Sequence, residues 1–309
     1  MHRKRVALRD GPARIALLVA VRFEMPVRIV QSKQNARLKE LRRALRSPGG
    51  KAGGLIGMEG PHLIEEAVRA RLRIRCLFAG DEFQGWLAGL SLPADVEILV
   101  TPRENLVPAF VTETPQAVAA LAEPPEWHWD DLLASVGAAP LVMVLAGLQD
   151  PGNVGTILRS AEAFGASGVV SLPGTVTAWN QKAMRASAGS VFRMPVMAAG
   201  VEECFTRLNR AGIKVLATTV RGAKAADEEE LAGPVALLIG NEGSGVPEEI
   251  AGRADGAVTI PCPGPVESLN ASVAAGVLLY EASRQRRVGL DPTHNFRRGG
   301  RDVGHPGRR

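Results

Sequence analysis

From residue 141 onward, short apolar runs alternate with helical segments, and this alternation constrains the fold more than any other feature of the chain. LVMVLAGL (141–148), GVVSLP (168–173), IKVLATTV (213–220), PVALLIGNE (234–242) and GAVTIPCP (256–263) read as strands. Residues 154–164, 180–190, 201–211, PEEIAGRA and 268–287 read as helices, and MPVMAA (194–199) precedes the third of these. Short strands that are apolar throughout, set between helices, imply a mostly parallel sheet covered on both faces. The expected class is therefore α/β. In open parallel sheets ligands bind beyond the carboxyl ends of the strands, so polar residues that follow strands are the first functional candidates.

Four such places occur. DPGNVG follows the strand that ends at Leu148, with Asn153 in the turn and Arg159 about two turns into the next helix. A cation in the first half of a helix opposes the helix dipole, which an anionic partner nearby would explain. Thr218 and Thr219 end the strand 213–219. GNEGSG follows 235–239; it lacks the Lys-Ser/Thr of a phosphate loop and is not G-x-G-x-x-G. Its glycines, Gly240 and Gly243 among them, permit close backbone approach to a ligand, and Asn241 and Glu242 present an amide and a carboxylate beside that backbone. PCPGPVESLN follows 257–260 and opens the last helix. Ser268 suits the N-cap, whereas Asn270 is a poor helix former just inside a helix.

The 309 residues suffice for two domains with a core in each. Residues 26–125 read as a separate small α/β module. SKQNARLKELRRALRS is a helix with Leu38, Leu41 and Leu45 at helical spacing, PGGKAGG a loop, LIGMEG a strand, and PHLIEEAVRARL a helix with Pro61 in its first turn; IRCLFAG and VEILVT are further strands. Residues 126–140, rich in Pro and turn formers, read as a linker leading into a second domain, 141–287. Residues 1–25 form a basic extension upstream of an alternative start at Met25, and 288–309 a basic disordered tail.

Charge separates along the chain. The net charge is +5, but residues 1–24 contribute +4 and 284–309 contribute +6, leaving −5 between them. Within that middle, residues 28–75 hold twelve Lys/Arg against four acids. A basic stretch in a folded segment points to a polyanion partner. Cys76, Cys204 and Cys262 stand far apart with no histidine at ligand spacing, which predicts no metal site and suits a reducing cytoplasm. No apolar run reaches the roughly 20 residues a membrane span needs.

Together, DPGNVGTILRSAEAFGASGV (150–169), LLIGNEGSGVP (237–247) and IPCPGPVESLNASVAAGVLLYE (260–281) resemble the SpoU (TrmH-type) branch of the SPOUT RNA methyltransferases, in order and at similar spacing. Residues 26–125 resemble the N-terminal substrate-binding module of its ribosomal-RNA members, through GMEGPHLIEEAV and TETPQAVAA. Cys262 stands where relatives often carry Met. The resemblance implies a deep trefoil knot in the C-terminal domain, an exception to the rule against knots. It also implies S-adenosyl-L-methionine as cofactor, a homodimer, and 2′-O-methylation of RNA, foremost 23S rRNA. By motif match, Asn153, Arg159, Glu242, Ser268 and Asn270 fall at active-site positions. Thr218, Gly240, Ile260 and Leu269 fall at cofactor-pocket positions, and Thr219, Asn241 and Gly243 join them as cofactor-binding candidates.

In that reading Glu242 and Asn153 orient Arg159, and Ser268 and Asn270 line the ribose or methionine end of the cleft. The family proposes Arg159 as base. A guanidinium with a pKa above about 12 is better suited to hold a phosphate or stabilise a developing alkoxide. Three alternatives stay open: a transfer-RNA methyltransferase of the same branch, a non-catalytic RNA-binding or ribosome-assembly protein on the same fold, and an unrelated nucleotide-binding α/β enzyme.

Overall fold

A computed structural model describes residues 27–47, 54–133, 139–266 and 268–290. The expected basic extension, most of PGGKAGG and the tail from 291 lie outside the described residues. Contacts divide the chain into two compact units. One comprises the residues up to Glu126 with Asp150–Arg159 and Val176–Met194; the other comprises Trp127–Gln149, Ser160–Thr175 and the residues from Pro195 onward.

The first unit runs β1 (Val27–Ile29), α1 (Ala36–Arg46), β2 (Ile56–Glu59), α2 (Pro61–Arg69), β3 (Ile74–Ala79), α3 (Gln84–Gly89), β4 (Glu97–Val100), α4 (Arg103–Leu106) and β5 (Val118–Ala122). Its sheet has the order β1-β4-β3-β5-β2, parallel except for β5, which runs antiparallel to both neighbours. Two of these strands go beyond the sequence reading. β1 is three residues long, and β5 (VAALA) is buried at all five positions without the aromatic or alternating pattern that marks a strand. α1 begins where Asn35 Oδ1 accepts the Arg37 N–H at 2.9 Å, and it buries Leu38, Leu41, Ala44 and Leu45. β2 meets it closely: a Cβ on Gly57 would lie 3.0 Å from the Leu45 backbone nitrogen.

The chain continues through α5 (Trp129–Leu133), β6 (Leu141–Ala146), α6 (Pro151–Ala163), β7 (Gly168–Ser171), α7 (Gln181–Ala186), α8 (Ser190–Arg193), β8 (Val196–Ala198), α9 (Val201–Arg210), β9 (Lys214–Thr219), β10 (Lys224–Ala225), β11 (Val235–Gly240), α10 (Glu248–Ala251), β12 (Gly256–Thr259) and α11 (Ala271–Leu290). The helix expected over 180–190 is two helices, broken at Ala188 (φ 48°) and Gly189 (φ 85°). At Gly189 a Cβ would meet the Glu66 side chain at 2.7 Å, so the left-handed turn requires glycine. α7 and α8 belong to the first unit, where Gln181 Nε2 donates to Gly57 O at 2.6 Å and Arg193 pairs with Glu66 at 2.7 Å.

The second unit is built on a seven-stranded sheet of order β10-β12-β9-β11-β6-β7-β8, parallel throughout, as the apolar runs imply. The strand order turns back between β6 and β11: β7 and β8 extend one way, the later strands the other. One face packs Val142, Val144, Val170, Ala236 and Leu238 against Phe205 and Leu208 of α9. Trp129 and Leu132 are buried in the same cluster. Within the segment expected as a linker, Trp129 and Leu132 thus enter the core while His128, Asp130 and Asp131 stay exposed: Pro and turn formers around them mask a single helical turn. Trp129 Nε1 donates to Glu203 at 2.8 Å, and Gly168 leaves room for Leu132. No helix among the described residues is long and apolar enough to cross a membrane.

Candidate active site

In the second unit, β12, β9, β11 and β6 are neighbours and parallel, so their carboxyl ends share one edge. Thr218 pairs in register with Val258 and Thr219 with Thr259, while Gly240 pairs with Ala146. The loops after these strands carry Asn241, Glu242 and Gly243 on one side and Ile260 on the other. The strand-end rule therefore gathers most of the candidates at a single edge, next to the point where strand order reverses.

The β11 loop is held by its own residues. Asn241 and Gly245 exchange backbone hydrogen bonds of 2.9 Å each, and Gly245 has φ 69°. The chain returns so closely that a Cβ on Gly240 would lie 2.1 Å from the Gly245 carbonyl carbon. Gly240 is therefore fixed by loop closure itself. Asn241 Oδ1 accepts the Gly243 N–H at 2.9 Å, and its Nδ2 donates to Gly147 O at 3.0 Å. The Asn241 side chain thus ties this loop to the end of β6. Glu242 and Gly243 are exposed at the loop's tip. Gly147 (φ 74°) is fixed in turn: its N–H donates to Thr175 Oγ1 at 3.0 Å, and the Thr175 hydroxyl donates to Leu145 O at 2.9 Å. Sequence reading did not single out Gly147 or Thr175; an isolated Gly after an apolar strand was their only signal.

The half-buried Thr218 donates its hydroxyl to Leu238 O at 2.9 Å, which joins β9 to β11, and the exposed Thr219 donates to Arg221 O at 3.1 Å. Ile260 and Leu269 are half-buried and Ser268 is exposed. The last helix begins three residues later than expected, because Asn270, not Ser268, caps it. Asn270 Oδ1 accepts from Ser272 N (2.9 Å), Ser272 Oγ (2.7 Å) and Val273 N (3.3 Å). A residue that looks misplaced inside a helix is well placed one position before it.

Asn153 and Arg159 lie on the α6 stretch that belongs to the first unit. Asn153 is buried, and Arg159 is exposed with no hydrogen-bond or ion-pair partner among the described residues. The helix start is anchored by Asp150, whose Oδ1 accepts Gly152 N at 3.1 Å and Lys182 Nζ at 2.6 Å. The Lys182 hydrogen bond holds the Asp150 carboxyl below the usual carboxylate range. α6 and α7 approach so closely at Gly155 that a Cβ there would lie 2.3 Å from Ala183 O. Lys182 is a further residue that sequence reading missed, because its role depends on a partner 32 positions away.

Among the described residues no three His, Cys, Asp or Glu side chains gather as metal ligands. Burial pushes the thiols of Cys76 and Cys204 up, the latter to about 12, so neither is a thiolate near neutral pH.

Comparison with known proteins gives this arrangement a family. The model of the SpoU rRNA Methylase family matches residues 140–280. The 23S rRNA (guanosine(2553)-2'-O)-methyltransferase RlmP of Bacillus subtilis (strain 168) is 31% identical over 255 residues, covering 81% of this chain and 97% of that protein. Among solved structures, the SpoU methyltransferase AviRb of Streptomyces viridochromogenes in complex with AdoMet has a TM-score of 0.71 at 27% identity, covering 82% of this chain and 99% of its own. An rRNA methyltransferase from Sinorhizobium meliloti has a TM-score of 0.73 at 28% identity, covering 84% and 98%. With its parallel sheet, its looped strand ends and its three motifs in order, this chain belongs to the SpoU rRNA methylase family.

Proposed function

We propose that this protein transfers a methyl group from S-adenosylmethionine to a ribose 2′-hydroxyl of large-subunit ribosomal RNA, acting as a homodimer in the cytoplasm. The observation that carries the chemistry is the shared carboxyl edge of β9, β11, β12 and β6, with its self-closed glycine loop. The residues present fit the cofactor. Thr218, Gly240, Ile260 and Leu269 would hold it, with two half-buried apolar side chains suited to a nucleoside and a loop tied by its own hydrogen bonds. When bound, it supplies an already activated methyl group, so positioning carries much of the rate.

The protein's own task is to hold the ribose hydroxyl and manage its proton. Arg159 remains cationic and stabilises the developing alkoxide or holds the adjoining phosphate, with Asn153 of the same helix orienting it. Asn270 spends its Oδ1 on the helix cap, which leaves the Nδ2 hydrogens for the ribose or the methionine end, beside the exposed Ser268. The expected trefoil knot belongs to this proposal, as the way the last strand and helix reach the β11 loop.

Ribosomal RNA is favoured over transfer RNA because the similarity to RlmP runs over 255 residues, more than 140–280 can hold, and so reaches into the N-terminal module. A homodimer is supported by an apolar stripe on α11: Val273, Val277 and Tyr280 are 50%, 39% and 49% exposed at i, i+4 and i+7.

The test supplies radiolabelled S-adenosylmethionine with separate pools of unmodified ribosomal and transfer RNA, with Arg159→Ala as control. Label recovered as a 2′-O-methyl nucleoside in large-subunit RNA, and lost in the variant, is expected. Label in transfer RNA overturns the substrate. Cofactor binding without label in either pool overturns the activity and restores the non-catalytic reading.

A further inference from the structure

Helix α1 carries a second, separate feature that the methyl-transfer edge does not use. At 3.6 residues per turn, its buried residues Leu38, Leu41, Ala44 and Leu45 face the sheet, and Lys39, Arg43 and Arg46 fall within an arc of about 60° opposite them. All three are exposed, and none has an ion-pair partner among the described residues. The acids of the neighbourhood are sorted away from this arc. Glu40 pairs with Arg37 at 2.8 Å, and Glu97 pairs with Arg28 and Arg37 at 3.1 and 2.9 Å. Arg42, half-buried on the flank, donates to Lys33 O.

Such a stripe works against the helix alone. Like charges three and four positions apart destabilise a helix by a few tenths of a kcal/mol per pair. Arg43 and Arg46 lie in the last turn, where the helix dipole favours cations, but Lys39 does not. Close packing makes the helix a rigid mount: a Cβ on Gly57 would lie 3.0 Å from the Leu45 backbone nitrogen, and Asn35 caps the start.

We infer that the outer face of α1 docks on the phosphate backbone of a paired RNA stem of the substrate. At 1.5 Å per residue the three cations spread over about 10 Å along the axis, a row rather than a point. The helix, ARLKELRRALR, carries no aromatic side chain. Proteins that hold single strands rely on rings for bases to stack on, so this face reads backbone charge. Contacts of this kind set orientation and affinity and carry no sequence information. The stripe thus divides labour with the strand ends of the second unit: α1 holds a stem, and the contacts that select the substrate nucleotide are not made by this face. This rests on the proposed RNA substrate, but not on methylation itself.

The experiment measures binding of the full-length protein to a large-subunit ribosomal RNA transcript across a salt series, beside methyl transfer to the same transcript. It compares wild type with Lys39→Ala/Arg43→Ala/Arg46→Ala and with a control, Arg207→Ala/Arg210→Ala, which removes two exposed arginines from α9. The triple variant is expected to lower the slope of log affinity against log salt by about 2 to 3, since each duplex phosphate contact contributes about 0.9. At fixed moderate salt its dissociation constant should rise at least tenfold, with S-adenosylmethionine binding unchanged. The control should keep the wild-type slope. An unchanged slope in the triple variant overturns the inference, as does an equal drop in the control, or wild type that binds no RNA. Methylation with an unchanged slope sinks only this inference. A falling slope without methylation sinks only the proposed activity.

Discussion

Arg159 and Asn270 show how far a single residue can be read. Arg159 stands exposed on α6 without a partner among the described residues. Because the helix already starts at Pro151, it lies past the middle, where the dipole does not oppose a cation, so the conflict expected from sequence is absent and the unpartnered guanidinium itself is the signal. A guanidinium there offers a planar fork that an ammonium lacks. Arg159→Lys should therefore keep wild-type thermal stability and cofactor affinity while kcat falls by about 100-fold or more, as for loss of one preorganised charge donor. A lysine variant of near wild-type kcat would reduce the role of Arg159 to bulk charge. Asn270 is different, because the structure supplies an ordinary reason for it. Three donors converge on its Oδ1, and Asn270→Ala should cost about 1 kcal/mol through loss of the cap. Asn270→Asp keeps the cap oxygen and removes the amide hydrogens. We expect its melting temperature to match wild type while methyl transfer falls. Full activity in that variant would leave Asn270 as a cap alone.

At the scale of elements, α11 is fastened at its far end by polar contacts. Arg286 donates to the carbonyls of Ala139, Pro140, Leu231 and Gly233, and burial lowers its pKa. Gln285 donates to Glu229 O at 3.0 Å and accepts the Leu231 N–H at 2.8 Å. Glu229, in the same segment, pairs with Lys214 of β9 at 2.7 Å. That hydrogen bond holds its carboxyl below the usual range. A depressed folded pKa adds stability above the unfolded pKa and loses it as pH falls through the folded value. Glu229→Gln should be less stable than wild type at pH 7, by about 1 kcal/mol at most since Lys214 is half-exposed. In denaturant melts the gap should begin to close as pH falls through the unfolded carboxyl value of about 4 and finish closing only below the depressed folded value, where the carboxyl is protonated in both states. A gap that persists in acid would locate the effect in packing rather than charge.

Elements were legible where one principle governs them. The apolar strands β6, β7, β9 and β11 needed only burial on both faces, and the leucines of α1 only helical spacing. The misses lie where partners distant in sequence decide. β5 is a row of alanines recognisable only between β2 and β3. α5 hides among prolines because its stability comes from Trp129 and Leu132 entering the core. The break between α7 and α8 is imposed at Gly189 by Glu66. The candidate site divides in the same way. Strand-end placement found the loops, whereas the tasks of Asn241 as loop tie, Thr218 as strand bridge and Asn270 as cap depend on carbonyls and amides that no motif displays.

For the whole molecule the open question is assembly, and α11 is where it can be answered. Most of this helix is used internally: Ala271, Ala275, Leu278, Leu279 and Ala282 are buried. Val273, Val277 and Tyr280 instead form a continuous exposed apolar line on another side. Tyr280 is already held in place, edge-on to Phe164 at 5.8 Å and with Arg287 6.0 Å from its ring centre, so it offers a fixed surface at little further entropic cost. A two-fold axis beside the stripe would set it against its own copy, the simplest way to cover one patch with an identical one. The 32.7 kDa chain should therefore run at twice that mass in analytical ultracentrifugation. Val273→Glu/Val277→Glu should shift it to the monomer without unfolding, because both side chains lie outside the core. If catalysis requires the pair, that monomer should bind RNA with the wild-type salt slope and lose methyl transfer. A wild-type monomer at micromolar concentration, or a double variant that remains dimeric, would show that α11 is not the interface.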